Sequence, residues 1–125
     1  MDQQDQQAEE RESIGRIEIA PDVLTTIARY VTLSVEGVNK LAPVPADVSR
    51  LFSRAVRDDG VLLDYLDGRL AFDIYVLVDP HVSVLETSRR IQEAVVEAID
   101  KMVGIPVQAV NVHVEDVIYA YDETA

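Results

Sequence analysis

The dipeptide Asp67-Gly68 constrains the fold most, because it lies between two runs of residues that favour β-strands. A tight two-residue hairpin turn needs positive φ angles, which Asp-Gly supplies at low cost. The runs 61–66 and 69–78 are therefore predicted to pair as a hairpin. In the second run every other residue is apolar, which predicts a strand with one buried face. That face comprises Leu70, Phe72, Ile74, Val76 and Val78.

Two amphipathic helices are predicted, one on each side of this hairpin. The first begins at Pro21, since a first helical turn tolerates the missing N–H, and it ends at Gly37. The second begins with a capping box formed by Ser83 and Glu86 and ends before Gly104. Each helix carries one apolar stripe, so both can pack on the same face of a single sheet.

Three further segments complete the predicted order. The alternation at 16–19 predicts a short first strand, residues 107–117 predict the last strand, and 47–57 predict a short helix. The fold is therefore predicted as α+β, in the order β-α-β-β-α-β, with both amphipathic helices on one face of a three- to four-stranded sheet. A ferredoxin-like arrangement would place the first strand between the third and fourth. If the first strand is too short to pair, the third and fourth can lie adjacent and parallel.

Length and charge set the domain organisation that we expect. A chain of 125 residues, 48% hydrophobic, suits one domain over residues 14–118. Residues 1–13 predict a disordered acidic tail, and residues 119–125 a flexible acidic one. The net charge of −12 repels nucleic acid, so no nucleic-acid partner is expected. Apolar runs are too short for direct membrane insertion, and we expect a cytoplasmic protein.

Motifs for catalysis and for cofactors are missing from the sequence. There is no nucleophile elbow, no Walker loop, no dinucleotide-binding glycine pattern and no zinc-protease motif. With no cysteine and only two histidines, a zinc site is not expected. The chain is therefore predicted to be no enzyme and to hold no cofactor or metal.

Two places in the sequence could bind a partner. His113 lies beside Asn111 on the polar side of the last predicted strand, where it could contact a ligand; an exposed or edge-packed histidine without such a role is more usual in a strand. A further hypothesis is an enzyme that uses His113 with a carboxylate. Arg50, Arg54 and Arg57 would share one face of the predicted short helix and could dock an acidic partner or a phosphate. An ordinary solvated face that pairs with nearby aspartates is the more usual role of such arginines.

Four segments together resemble the alkaline shock protein family, the envelope stress response proteins of Gram-positive bacteria. They are residues 15–24, 72–78, 90–95 and 110–114, and the resemblance covers about residues 14–118. The sequence departs from the family pattern at 39–45, where Asn39-Lys40-Leu41-Ala42-Pro43-Val44-Pro45 replaces an expected glycine-rich stretch.

The resemblance implies a non-enzymatic protein of envelope stress and cell-envelope homeostasis that works through protein–protein interaction. Members can self-associate, and a separate membrane-anchor protein can recruit them to the inner face of the membrane. The family has no established catalytic residues, so none is carried over. The alternative hypothesis is a small regulatory module that binds RNA or a metabolic enzyme through the three arginines.

Overall fold

The computed structural model describes residues 14–49, 55–66 and 68–119, which form three helices and five strands. In chain order these are helix α1 (Pro21–Leu33), strand β1 (Val38–Leu41), helix α2 (Ala46–Ser49), strands β2 (Ala55–Asp58), β3 (Val61–Leu66) and β4 (Arg69–Val78), helix α3 (Val84–Met102) and strand β5 (Val107–Val117). Apart from Tyr119, both predicted tails lie outside the described residues, and the domain boundaries stay predictions.

Strand β4 is the centre of the sheet. It pairs in parallel with β5 along one edge, from Leu70 to Val78. Antiparallel β3 and β1 pair with other parts of β4, at 69–74 and 76–78. Because a strand has only two edges and β5 takes one of them, β3 and β1 share the other, end to end. At their junction Tyr75 donates its N–H to the carbonyl of Gly60 and accepts from the N–H of Ala42.

The predicted packing of two helices on one face of the sheet is confirmed. Pro21 opens α1, and the Ser83 hydroxyl accepts a hydrogen bond from the Glu86 N–H at the start of α3, which is the N-cap half of the predicted capping box. The Glu86 carboxylate pairs with Arg90. The inner face of β4 packs against both helices. The buried set includes Leu24, Ile27, Ala28, Phe72, Ile74, Val76, Ile91, Val95 and Ile99. The α+β class is thus confirmed, and the sheet has five strands within the described ranges.

The predicted first strand at 16–19 is wrong. Residues 15–20 have no regular secondary structure, and Ile17 is 93% exposed. A ferredoxin-like first strand would need the edge of β4 that β5 occupies, so it has no place there. The alternative, in which the two last strands lie adjacent and parallel, is confirmed.

The predicted helix over 47–57 is wrong at residues 55–57, and its middle part, 50–54, lies outside the described residues. Residues 55–58 form β2, which pairs with β3 in a second hairpin around Asp59 and Gly60. Gly60 has a φ of +77°, a conformation that glycine adopts without the steric cost of a Cβ. Asp59-Gly60 is thus the same dipeptide that predicts the hairpin at Asp67-Gly68. Its preference for a turn outweighs the helical spacing of the arginines.

The other face of the sheet is only partly covered. The chain from β1 into α2 crosses it, and a second apolar cluster forms there from Ala42, Val44, Leu62 and Tyr75. Val48 and Leu77 pack at its margin. We call this face the outer face. None of the helices in the described ranges is long and apolar enough to cross a bilayer.

Candidate functional site

A histidine, a tyrosine and an aspartate meet on the outer face where β4 and β5 run side by side. Tyr75 lies opposite His113 in the parallel register, and their rings stack with centroids 4.3 Å apart and planes 11° from parallel. The Nε2 atom of His113 lies 2.8 Å from Oδ1 of Asp73. Residues two apart on a strand share a face, so Asp73 and Tyr75 both reach the same imidazole. We call these three residues the outer-face cluster.

The three side chains of the outer-face cluster differ in their exposure to solvent. Tyr75 is buried beneath the segment that carries Ala42 and Val44. The Asp73 side chain is 16% exposed and the His113 side chain 39% exposed. The imidazole is therefore held by a buried ring on one side and a carboxylate at its edge, while part of it remains open to a partner.

Burial and nearby charge act in the same direction on Tyr75. Burial is the main cause that raises the pKa of the Tyr75 hydroxyl above its ordinary value of 10.0. The carboxylates of Asp73, Glu115 and Asp47 raise this pKa further, because a phenolate near them would be repelled. Tyr75 therefore stays neutral and acts as an aromatic support for the imidazole.

The edge of β5 extends the site. Within the described ranges β5 pairs with β4 alone, so no strand pairs with its second edge. Two backbone groups of β5 already have side-chain partners, because the Gln92 amide donates to the Val110 carbonyl and the Val117 N–H donates to Oδ1 of Asp116. Asn111 and Glu115 lie on the same side of β5 as His113 and are exposed. A partner could therefore meet an amide, an imidazole and a carboxylate in line, next to a strand edge that no other strand of the described ranges covers.

The outer-face cluster offers an oriented, part-exposed imidazole as its main chemical group. A histidine oriented by a carboxylate is one part of an acid–base relay, but catalysis also needs a pocket that places a substrate beside it. Three hollows on the described surface lie along α3, and His113 lines none of these three. Across the described ranges, no three histidine, cysteine, aspartate or glutamate side chains gather closely enough to hold a metal ion.

The residues singled out from the sequence have different outcomes. His113 and Asn111 lie together on the outer face as expected. Arg57 lies in β2, so it does not share a helix face with the other two arginines, and Arg50 and Arg54 lie outside the described residues. Partner binding by any of these residues stays a prediction.

Sequence reasoning missed Asp73 and Tyr75. Asp73 is an isolated carboxylate in its strand when the sequence is considered alone, yet the structure pairs it with His113. The available signal was that both last strands carry polar residues at alternate positions. Only the parallel register brings those positions together, and local sequence does not encode that register.

The fold and the site define a class: a two-layer α+β protein whose polar cluster lies on an open sheet face. Residues 9–119 match the alkaline shock protein 23 family, described as having a cell envelope-related function. The chain belongs to this family, and the family resemblance predicted from the sequence is confirmed. The family description names an envelope relation and no reaction.

Relatives in Gram-positive bacteria support the assignment. The chain is 38% identical over 108 residues to the uncharacterized protein Spy1535 of Streptococcus pyogenes, a match that covers 86% of this chain and 82% of the relative. It is 26% identical over 102 residues to the uncharacterized protein YqhY of Bacillus subtilis, covering 81% and 76%. The structure of MamM-CTD 215-293 matches with a TM-score of 0.47 at 18% identity, covering 78% of this chain and 99% of that one. A likeness of that strength carries no information about function.

Proposed function

We propose that this chain is a non-enzymatic protein of envelope stress and cell-envelope homeostasis that acts by binding a protein partner through its outer face. The observation that carries the proposal is the outer-face cluster beside the open edge of β5. It combines an oriented, part-exposed imidazole with an exposed amide at Asn111, and these groups favour a polar protein surface over a small substrate.

The partner that we propose is a membrane-anchor protein, which would recruit this chain from the cytoplasm to the inner face of the membrane. The envelope-related description of the family supports an action at or near the membrane. Since the chain carries a net charge of −12, direct binding to anionic lipid would be opposed by repulsion. A protein that bridges to the membrane avoids this cost.

Self-association is a second part of the proposal. A strand of 11 residues with one edge not paired to another strand can add a strand from another chain through backbone hydrogen bonds. Strand β5 offers such an edge within the described ranges, so a second copy could pair there. The same edge could instead be completed by the anchor protein.

Affinity capture from cells under envelope stress tests the proposed function. Asn111→Arg places a long cation on the exposed outer face and should reduce the recovered membrane-protein partner at least about fivefold, since rejection of a misfitting charge costs on the order of 1 kcal/mol. The same variant should move from the membrane fraction to the soluble fraction. Recovery is quantified by mass spectrometry against untagged cells.

Thr26→Arg provides the matched control. Thr26 is exposed on α1, in the helical layer, so the variant carries the same added side chain away from the outer face. It should retain the partner and the membrane fraction. Equal losses in both variants, or a native protein that recovers no partner under stress and stays monomeric, would contradict the proposed function.

A further inference from the structure

An open groove runs between α3 and the chain that leads into β5. Its volume is about 600 Å³. The walls are apolar, formed by Val96 on the helix and by Ile105, Pro106 and Val107 on the strand side. Val96 is 44% exposed, so an aliphatic surface that a partner could cover lies open to solvent.

Carboxylates line the helical rim of this groove. Glu93, Glu97 and Asp100 follow one another at spacings of four and three, which places them on one helix face. Glu97 pairs with Lys101, with Nζ and Oε1 3.1 Å apart. No ion pair to Glu93 or Asp100 is formed by residues 14–49, 55–66 or 68–119. The C-terminus of α3 adds partial negative charge near Asp100.

The geometry points to this groove as a docking site for a basic amphipathic segment of a protein partner. Aliphatic side chains on one side of that segment would cover Val96 and Ile105, while its lysines or arginines would pair with Glu93 and Asp100. A small metabolite is less suited, because the lining polar groups are exposed on the rim and do not converge inside a pocket.

Charge favours a basic protein segment over other macromolecules as the occupant of the groove. Nucleic acid and anionic lipid would be repelled by the acidic rim and by the net charge of −12. At this acidic rim a second copy, with the same net charge, is less favoured than a basic segment. The groove lies on a different surface from the outer-face cluster, so the inference goes beyond the proposed function and does not depend on it.

Fluorescence anisotropy with two labelled peptides tests the apolar part of the inference. One peptide has leucines at helical spacing with lysines elsewhere, over about 14 residues or roughly four turns; the other has glutamate for every lysine. The basic peptide should bind and the acidic peptide should not. Val96→Ser should weaken the basic peptide roughly fivefold, whereas Val23→Ser should change it less than about twofold. Val23 is a fair control because it too is 44% exposed on a helix.

Paired neutralisations test the charged part. Glu93→Gln with Asp100→Asn should weaken the basic peptide roughly tenfold at low salt, and less at high salt. Glu18→Gln with Asp22→Asn removes the same charge from exposed positions outside the groove lining, and it should have a much smaller effect. Amide chemical shifts should change at Val96, Ile105 and Val107 when the basic peptide is added to the native protein.

Three results would overturn the inference. Equal losses from the two neutralised pairs would show attraction to net charge alone. Shift changes centred on His113 would move the peptide to the outer face. A concentration-dependent dimer of the native protein that Val96→Ser abolishes would assign the groove to a second copy. Asn111→Arg should leave peptide binding unchanged. Peptide binding therefore tests the groove, and affinity capture tests the proposed function, independently of each other.

Discussion

The two faces of β4 are made by one alternating run of residues, yet they differ in every other respect. On the inner face Phe72, Ile74 and Val76 lie fully buried under α1 and α3. On the outer face Asp73 and Tyr75 meet the imidazole of His113, and their cover is a short segment around Ala42 and Val44. The same strand therefore serves a dry core on one side and a part-open polar cluster on the other.

This difference separates what maintains the fold from what is available for binding. On the inner face the helices exclude water, and the side chains that β4 buries there are apolar, so none of them needs a hydrogen-bond partner. The thinner cover of the outer face leaves room for polar groups that pair with one another and remain partly accessible. Substitutions on the inner face should thus act on stability, and those on the outer face on stability and recognition together.

Two adjacent leucines in β3 should give the largest effects and test the comparison directly. Leu63 belongs to the core beneath the helices and Leu62 to the second apolar cluster, on the outer face, and both are fully buried. Leu63→Ala should lower the free energy of unfolding by about 4 kcal/mol and Leu62→Ala by about 3 kcal/mol, because the irregular outer cover can collapse further into the cavity. Urea denaturation of both variants measures the difference. A larger loss at Leu62 would show that the outer cover is the more rigid layer.

A glycine in the β2–β3 turn should give the next largest effect. Gly60 has a φ of +77°, and an added Cβ would lie 2.6 Å from Leu41 Cβ and 2.9 Å from the Ala42 carbonyl oxygen. Gly60→Ala should therefore cost about 2 to 3 kcal/mol, from backbone strain and displacement of the outer cover. Thermal and urea unfolding measure the loss.

Gly68 is the matched control for this prediction. It has a φ of +74°, but an added Cβ would meet nothing within 4 Å. Gly68→Ala should cost only about 1 to 2 kcal/mol, from the backbone conformation alone. Equal costs at the two glycines would mean that Leu41 and Ala42 move aside freely, and the outer cover would then be loosely packed.

Local sequence was sufficient for elements whose signals lie within a few residues of one another. The Asp67-Gly68 hairpin, the N-cap at Ser83 and the alternation along β4 are of this kind. The strand β1 was missed, because Pro43 and Pro45 suggest irregular chain and four residues are too few for an alternating pattern. The hairpin at Gly60 was missed because the spacing of the arginines favoured a helix.

The site was less predictable than the fold because it depends on pairing between distant strands. Asn111 and His113 could be placed on a polar strand face from their spacing. Their contacts with β4 follow from a parallel register between segments about 40 residues apart, and the sequence left that register open. The pairing of Asp73 with His113 is a consequence of that topology.

Tyr75 provides the smallest and most specific test, because it gives the outer face a pH dependence that the apolar inner face of β4 lacks. Its folded-state pKa is raised above 10.0, mainly by burial, so the folded protein keeps this proton after the unfolded chain has lost it. The folded state then binds more protons, and stability must fall as pH rises above 10 towards the folded-state pKa. Tyr75→Phe should reduce that fall, and Tyr30→Phe, an exposed control on α1, should not. Urea denaturation between about pH 9 and 11 measures the slope of the unfolding free energy against pH for both variants. If Tyr75→Phe leaves the slope of the native protein unchanged, the Tyr75 hydroxyl is as well solvated as one at the surface. The segment around Ala42 and Val44 would then not exclude water from it.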